Sequence, residues 1–197
     1  MQQEKMARRS NRDRSEETRG KLLSAARALF VEKGYAETGT PEIVKSAEVT
    51  RGALYHHFSD KADLFRAVVI QEAHSVAEEI EEASIDQTDP IDALVTGAEA
   101  YFQAMRHPGR SRILLIDGPA VLGADALAAI DRETGGGTLY DGLAYAARRF
   151  GRDNLPLEEL ASLLSAAFDR AALAVSEGAD PAVYAGAMRQ MLLGLFR

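Results

Sequence analysis

Apolar residues recur three and four positions apart along almost the whole of this 197-residue chain, and no stretch alternates with period two for long enough to read as a strand. That spacing restricts the fold to packed helices, so the expected class is all-α. Leu22, Ala26, Leu29 and Phe30 form one such stripe, which Gly34 closes as a left-handed stop. Thr40-Pro41 reads as an N-cap followed by an N1 proline, and Thr50 and Ser59 read as further caps. After Ser59 a long stripe runs through Phe65, Val69, Val76 and Ile80. Asp89-Pro90 opens another helix. The later breaks fall at His107-Pro108-Gly109, Gly118-Pro119, Gly135 to Gly137, Gly151 and Gly178. About nine to ten helices are expected.

Composition narrows the function classes. The apolar fraction of 46% suffices for a core, and the absence of cysteine excludes disulfide scaffolds, thiolate metal sites and thiol switches. It also fits a reducing, cytoplasmic setting. No membrane span is expected, because the richest stretch, Ile113 to Ile130, is broken by Asp117, Pro119 and Asp125. The net charge of −7 speaks against nucleic acid until it is divided. Met1 to Arg66 holds 13 basic and 10 acidic residues, a balance of +3, and the remainder carries −10. Only the first part is suited to meet phosphate. Residues 1–15 have little to bury and read as a flexible basic arm. Residues 16–65 then form one domain and 66–197 a second.

The segment Thr38 to Leu64 places a short helix, a tight turn at Glu48-Val49 and a second short helix in succession. Leu54 and Phe58, four apart, give the second helix its core face. Its other face carries Thr50, Arg51, Gly52, Ala53, Tyr55 and His56. Gly52 and Ala53 are small enough for the backbone to approach base edges. Arg51 offers a fork to guanine or a phosphate contact, and Tyr55, His56 and Lys61 are donors of the phosphate-positioning kind. These residues make a helix-turn-helix whose second helix is able to enter a major groove, although the same geometry also occurs as plain packing.

The text LLSAARALFVEKGY (Leu22 to Tyr35) followed by EIVKSAEVTRGALYHHFSDKADLF (Glu42 to Phe65) resembles the TetR family of bacterial transcriptional regulators. The resemblance covers roughly residues 16–70. It implies an all-α homodimer with an N-terminal DNA-binding domain and a C-terminal domain for ligand binding and dimerisation. It implies DNA contacts from Thr50, Arg51, Gly52, Ala53, Tyr55 and His56, with phosphate contacts from Thr40 and Lys61. Where the family usually has Ser or Thr this chain has Gly39, which leaves Thr38 and Thr40 to share that role.

The implied dimer surface is a bundle of the last two helices, with Leu163, Ala167, Arg170, Ala185, Met188, Leu192 and Leu195 as its candidates. Asp169-Arg170 interrupts an apolar run and reads as an interface ion pair, a pocket group or a polar face. A mainly aliphatic effector pocket is expected among Tyr101, Phe102, Met105, Leu114, Leu122, Tyr140 and Phe168, with Asp117 as a helix cap or a ligand contact. The expected partners are operator DNA, a second copy and a small-molecule effector. The most favoured function is a repressor released by that effector; the rivals are an activator, control by a protein partner, and an enzyme. No Walker A, GxGxxG, HExxH or GxSxG pattern supports the last. No cofactor or metal is expected: adjacent His56 and His57 point about 100° apart on a helix, and His74 with Glu78 supplies only two ligands.

Overall fold

A computed structural model describes the backbone of residues 2–196 and the side chains of residues 12–196. Its regular elements are all helical among the described residues. They are α1 (Gln2–Lys33), α2 (Thr40–Ser46), α3 (Arg51–His57), α4 (Lys61–Ser84), α5 (Pro90–Ala104) and α6 (Arg110–Arg112). A π-helical turn (Ile113–Asp117) leads into α7 (Gly118–Leu122), and α8 (Ala124–Arg132), α9 (Gly135–Phe150), α10 (Leu157–Ser176) and α11 (Pro181–Phe196) follow. The chain divides into two compact units, 1–69 and 70–197. The division falls just after the expected boundary at residues 65 and 66. The expected arm is different: α1 begins at Gln2 and not at Glu16, and most side chains of residues 1–15 lie outside the described ones.

In the first unit α2 and α3 pack against α1 and against each other. Leu22, Ala26 and Phe30 of α1 meet Ile43, Leu54, Leu64 and Phe65 in a core from which water is excluded. Phe30 and Phe65 stack edge to face at 5.1 Å, and Tyr35 lies 4.9 Å from Phe65. The caps explain where these helices begin and end. Gly34 ends α1 with φ 83°, and its N–H donates to the Phe30 carbonyl. Thr50 caps α3, its hydroxyl accepting from the Ala53 N–H at 3.1 Å. Two expected caps move by one residue. Gly39, not Thr40, precedes α2, which places Thr40 and Pro41 inside the first turn. Asp60, not Ser59, caps α4 by accepting from the Asp63 N–H, while the Asp63 carboxylate accepts from the Ser59 N–H.

In the second unit α5 packs against α9, α10 and α11. Phe102, Leu143, Ala146, Ala172 and Leu192 are buried at the centre. The bend after α5 is fixed by a buried arginine. Arg110 donates to Glu72 at 3.0 Å, to Glu79 at 2.8 Å and to the Ala104 carbonyl at 2.9 Å. A buried charge is tolerated only when matched in this way. Asp117 makes no side-chain cap to α7; it lies 3.4 Å from Arg112. Helix α8 is amphipathic, yet none of its residues is fully buried.

The turn between α2 and α3 stores strain. Glu48 adopts φ 55°, a left-handed conformation that costs an L-residue about 1–2 kcal/mol. Glu48→Gly is therefore expected to stabilise the first unit by up to about 1 kcal/mol, offset in part by the greater entropy of the unfolded glycine. Denaturant unfolding checks this, and a loss of stability would contradict it.

Candidate nucleic-acid interface

Short helices of seven residues are marginal in water, so α3 depends on its buried side. Leu54 is fully buried and Phe58 nearly so, which turns Thr50, Arg51, Gly52, Tyr55 and His56 outward. Ala53 is half-buried. Tyr55 is 43% exposed although large and aromatic. The Arg51 guanidinium lies 5.4 Å from the Tyr55 ring centroid. The neighbouring Thr40 of α2, and Arg51 itself, lower the pKa of the Tyr55 hydroxyl. Gly52 has room: a Cβ there would meet only the Thr50 hydroxyl, at 3.8 Å. Nothing among the described residues requires glycine at this point.

Two of the expected phosphate contacts have other work. Thr38 is 1% exposed, and its hydroxyl donates to the Gly34 carbonyl at 2.7 Å, so it is withdrawn from the interface. Lys61 is half-buried. Its ammonium donates to the Tyr35 carbonyl at 2.9 Å and the Thr38 carbonyl at 3.0 Å, and lies 4.1 Å from the Tyr35 ring centroid. Two of its three donors thus pin the loop between α1 and α2. His57 is half-buried, with its pKa lowered by burial, then by the charges of His56 and Arg19. It packs beside Phe58, as expected of a histidine on the inner side.

The expected pocket residues divide. Tyr101, Phe102 and Phe168 come together as a triangle of rings with centroids 5.9 to 6.0 Å apart. Met105 is buried in the same core. Leu114 is only partly buried against that core, Leu122 and Asp117 are half-buried, and Tyr140 is exposed. A cleft of about 310 Å³ lies elsewhere in this unit, lined by His74, Glu78, Glu81, Arg132, Thr138 and Asp141 among others, and by none of the expected pocket residues. Among the described residues no group of three or more histidine and acidic side chains is arranged to hold a metal.

The expected dimer surface divides as well. Leu192, Met188 and Ala185 are buried within the single chain and so are core. Leu163 and Arg170 are exposed, and Ala167 and Leu195 half-buried. Val183 and Met191, which the sequence reading passed over, are 67% and 49% exposed. A helical stripe records that a face is covered, not which chain covers it.

Sequence reasoning also left Asp169 undecided. Its carboxylate accepts from the Tyr101 hydroxyl at 2.6 Å. Burial pushes its pKa up to about 6, with the charge of Asp131 adding to the rise and the Tyr101 hydrogen bond opposing it. Asp131 is also raised by burial, and accepts from the Ser165 hydroxyl at 3.0 Å and from the Gly136 backbone. A Cβ on Gly136 would run into that carboxylate, which accounts for glycine at the start of α9.

Comparison with known proteins follows this division. Residues 22–68 match the model of bacterial regulatory proteins of the tetR family, and residues 91–196 match that of a tetracyclin repressor-like C-terminal domain. The chain belongs to the TetR family. A crystal structure of a TetR-family transcriptional regulator from Pectobacterium atrosepticum is 32% identical, with a TM-score of 0.72 over 94% of this chain and 95% of that one. The HTH-type transcriptional activator FasR of Mycolicibacterium smegmatis is 34% identical over 56% of this chain and 50% of its own length. The HTH-type transcriptional regulator AcrR of Shigella flexneri is 39% identical over 45% of this chain and 41% of its own. The matched part thus spans about half the length of these curated relatives or less. RolR, solved with resorcinol, shares the fold at 20% identity, with a TM-score of 0.70 over 91% of this chain and 89% of that one.

The Asp169 pair has a consequence for stability. A carboxyl whose folded pKa lies above its unfolded value contributes stability that is present below about pH 4 and lost as pH rises through about 6. Relative to Asp169→Asn, the wild type is expected to lose about 2–3 kcal/mol of unfolding free energy between about pH 4 and about pH 7. Urea titrations at the two pH values check this, and identical pH dependence in both proteins would contradict it.

Proposed function

We propose that this protein is a dimeric, ligand-responsive transcriptional repressor that binds a near-palindromic operator through α3. The observation that carries the reading is the exposed side of α3. A glycine with open space before it stands among Thr50, Arg51, Tyr55 and His56, on a helix whose other side is fixed in the core. Thr50 accepts its cap bond and still has a hydroxyl hydrogen to donate to phosphate. Thr40, Thr50, Arg51, Gly52, Ala53, Tyr55 and His56 form the DNA face, and Lys61 serves it chiefly by holding the preceding loop. Two copies would place their α3 helices in successive major grooves about 34 Å apart. The charge division supports this arrangement: the acidic remainder repels DNA and confines contact to the first unit.

The dimer surface we propose is the exposed side of α10 and α11, with Leu163, Ala166, Val183, Ala187 and Met191 at its centre. Cβ atoms at Gly186 and Gly194 would meet nothing within 4 Å among the described residues, so the absence of side chains there favours close approach of a second copy. The effector would bind in the second unit near Tyr101, Phe102, Met105 and Phe168, with Asp169 as the polar group beside them. RolR was solved in complex with resorcinol and FadR from Bacillus subtilis in complex with stearoyl-CoA, so chains of this fold accept ligands of very different shape. Helix α4 contributes residues to both units and would carry the effector's influence to the DNA-binding one. An effector that prefers the DNA-incompetent arrangement shifts the population and releases the operator. Repression is preferred here, and BepR of Brucella suis, 35% identical over 100 residues, is named a repressor, whereas FasR is named an activator.

Two experiments test this reading. Gly52→Ala should raise the stability of the free protein by up to about 1 kcal/mol, because alanine favours a helix, and at the same time weaken DNA binding severalfold. Calorimetry and fluorescence anisotropy read the two effects, and unchanged DNA affinity would remove α3 from the interface. Leu163→Glu should give a folded monomer by light scattering and circular dichroism, since that side chain is 68% exposed. An intact dimer would exclude the surface proposed. Leu192→Glu should instead unfold the second unit.

A further inference from the structure

The one arginine of α3 is held before any DNA arrives. Arg51 and Tyr55 are one helical turn apart, the spacing at which side chains meet. The guanidinium carbon is 5.4 Å from the Tyr55 ring centroid, within the range of cation–π attraction. An exposed arginine without such a stage would sample many rotamers and lose that freedom on binding; a held one loses less. Its planar fork matches the O6 and N7 acceptors of guanine in the major groove. Directly beside it Gly52 carries no side chain, so no neighbour on the helix stands between the fork and a base edge.

We propose that Tyr55 is a positioning residue that holds Arg51 to read one guanine in each half of the operator. Base preference at that position then depends on a side chain that does not touch the base. The inference rests on the DNA-binding reading of α3 and goes beyond it by naming the base and the device that selects it.

The test is selection from a randomised duplex DNA pool by the full-length protein, followed by affinity measurement on the enriched sequence and on single-base changes of it. Wild type is expected to enrich an inverted repeat with guanine at one position of each half. Arg51→Ala should lose the preference at that position, by about tenfold or more. Tyr55→Phe keeps the ring and should keep the guanine preference while binding more weakly. Tyr55→Ala should lose most of the preference at that position alone and keep it elsewhere. Tyr55 lies outside the buried core, so neither change opens it, and the helical content of each variant is confirmed by circular dichroism. If Tyr55→Ala loses affinity equally for every sequence, the tyrosine is a phosphate contact only and the proposal is overturned. If Arg51→Ala keeps the guanine, another residue reads it and the proposal is likewise overturned. Enrichment of no sequence by the wild type would overturn the DNA-binding reading, and this inference with it.

Discussion

Two helices of seven residues have to be held in place by something larger than themselves, because a chain that short cannot recover the entropy of its own nucleation. Here the holding is done by the cluster of Phe30, Tyr35 and Phe65, together with the Lys61 ammonium that caps the Tyr35 and Thr38 carbonyls. That cluster joins the end of α1 to the start of α4, and α2 and α3 lie on α1. The outward side of α3 is consequently a rigid surface and not a frayed peptide. Tyr55 and Arg51 can then be set against one another with the same side chains facing out each time the protein folds. Lys61, which the family resemblance presents as a phosphate ligand, belongs first to this foundation.

The second unit follows a different logic. Its core is apolar and broad, with α5 at the centre, and its few buried polar groups are paired over long stretches of chain: Arg110 with Glu72, and Tyr101 with Asp169. Both pairings cost desolvation and contribute shape more than stability. Burial raises the pKa of the Asp169 carboxyl to about 6, and the charge of Asp131 adds to the rise. Such a group beside three aromatic rings is the most chemically distinct feature of the unit's interior.

The parts of the fold visible in the sequence are those governed by local rules. Apolar spacing, the Gly34 stop, the Thr50 cap and the Asp89-Pro90 start are each decided within a few residues, and each appears as read. The outward face of α3 was legible for the same reason: once Leu54 and Phe58 are taken as core, helical geometry assigns the rest. What escaped was tertiary. Thr38 reads as a polar residue near a helix start, and only the fold shows its hydroxyl directed into the α1 terminus. Leu192 sits on a stripe that could face its own chain or another, and periodicity is blind to the difference. The Tyr101–Asp169 pair spans 68 positions, beyond any local signal. The net charge of −7 misled only as an average, since the division into +3 and −10 falls close to the boundary between the two compact units.

On the function proposed, a preformed face of α2 and α3 meets DNA. The most direct measurement is amide hydrogen exchange of the full-length protein with and without a duplex that it has selected from a random pool. Exchange should slow at residues 40–56 when DNA is added, with the surface of α9 unchanged. Bound DNA that leaves 40–56 unaffected and protects another surface would contradict the account.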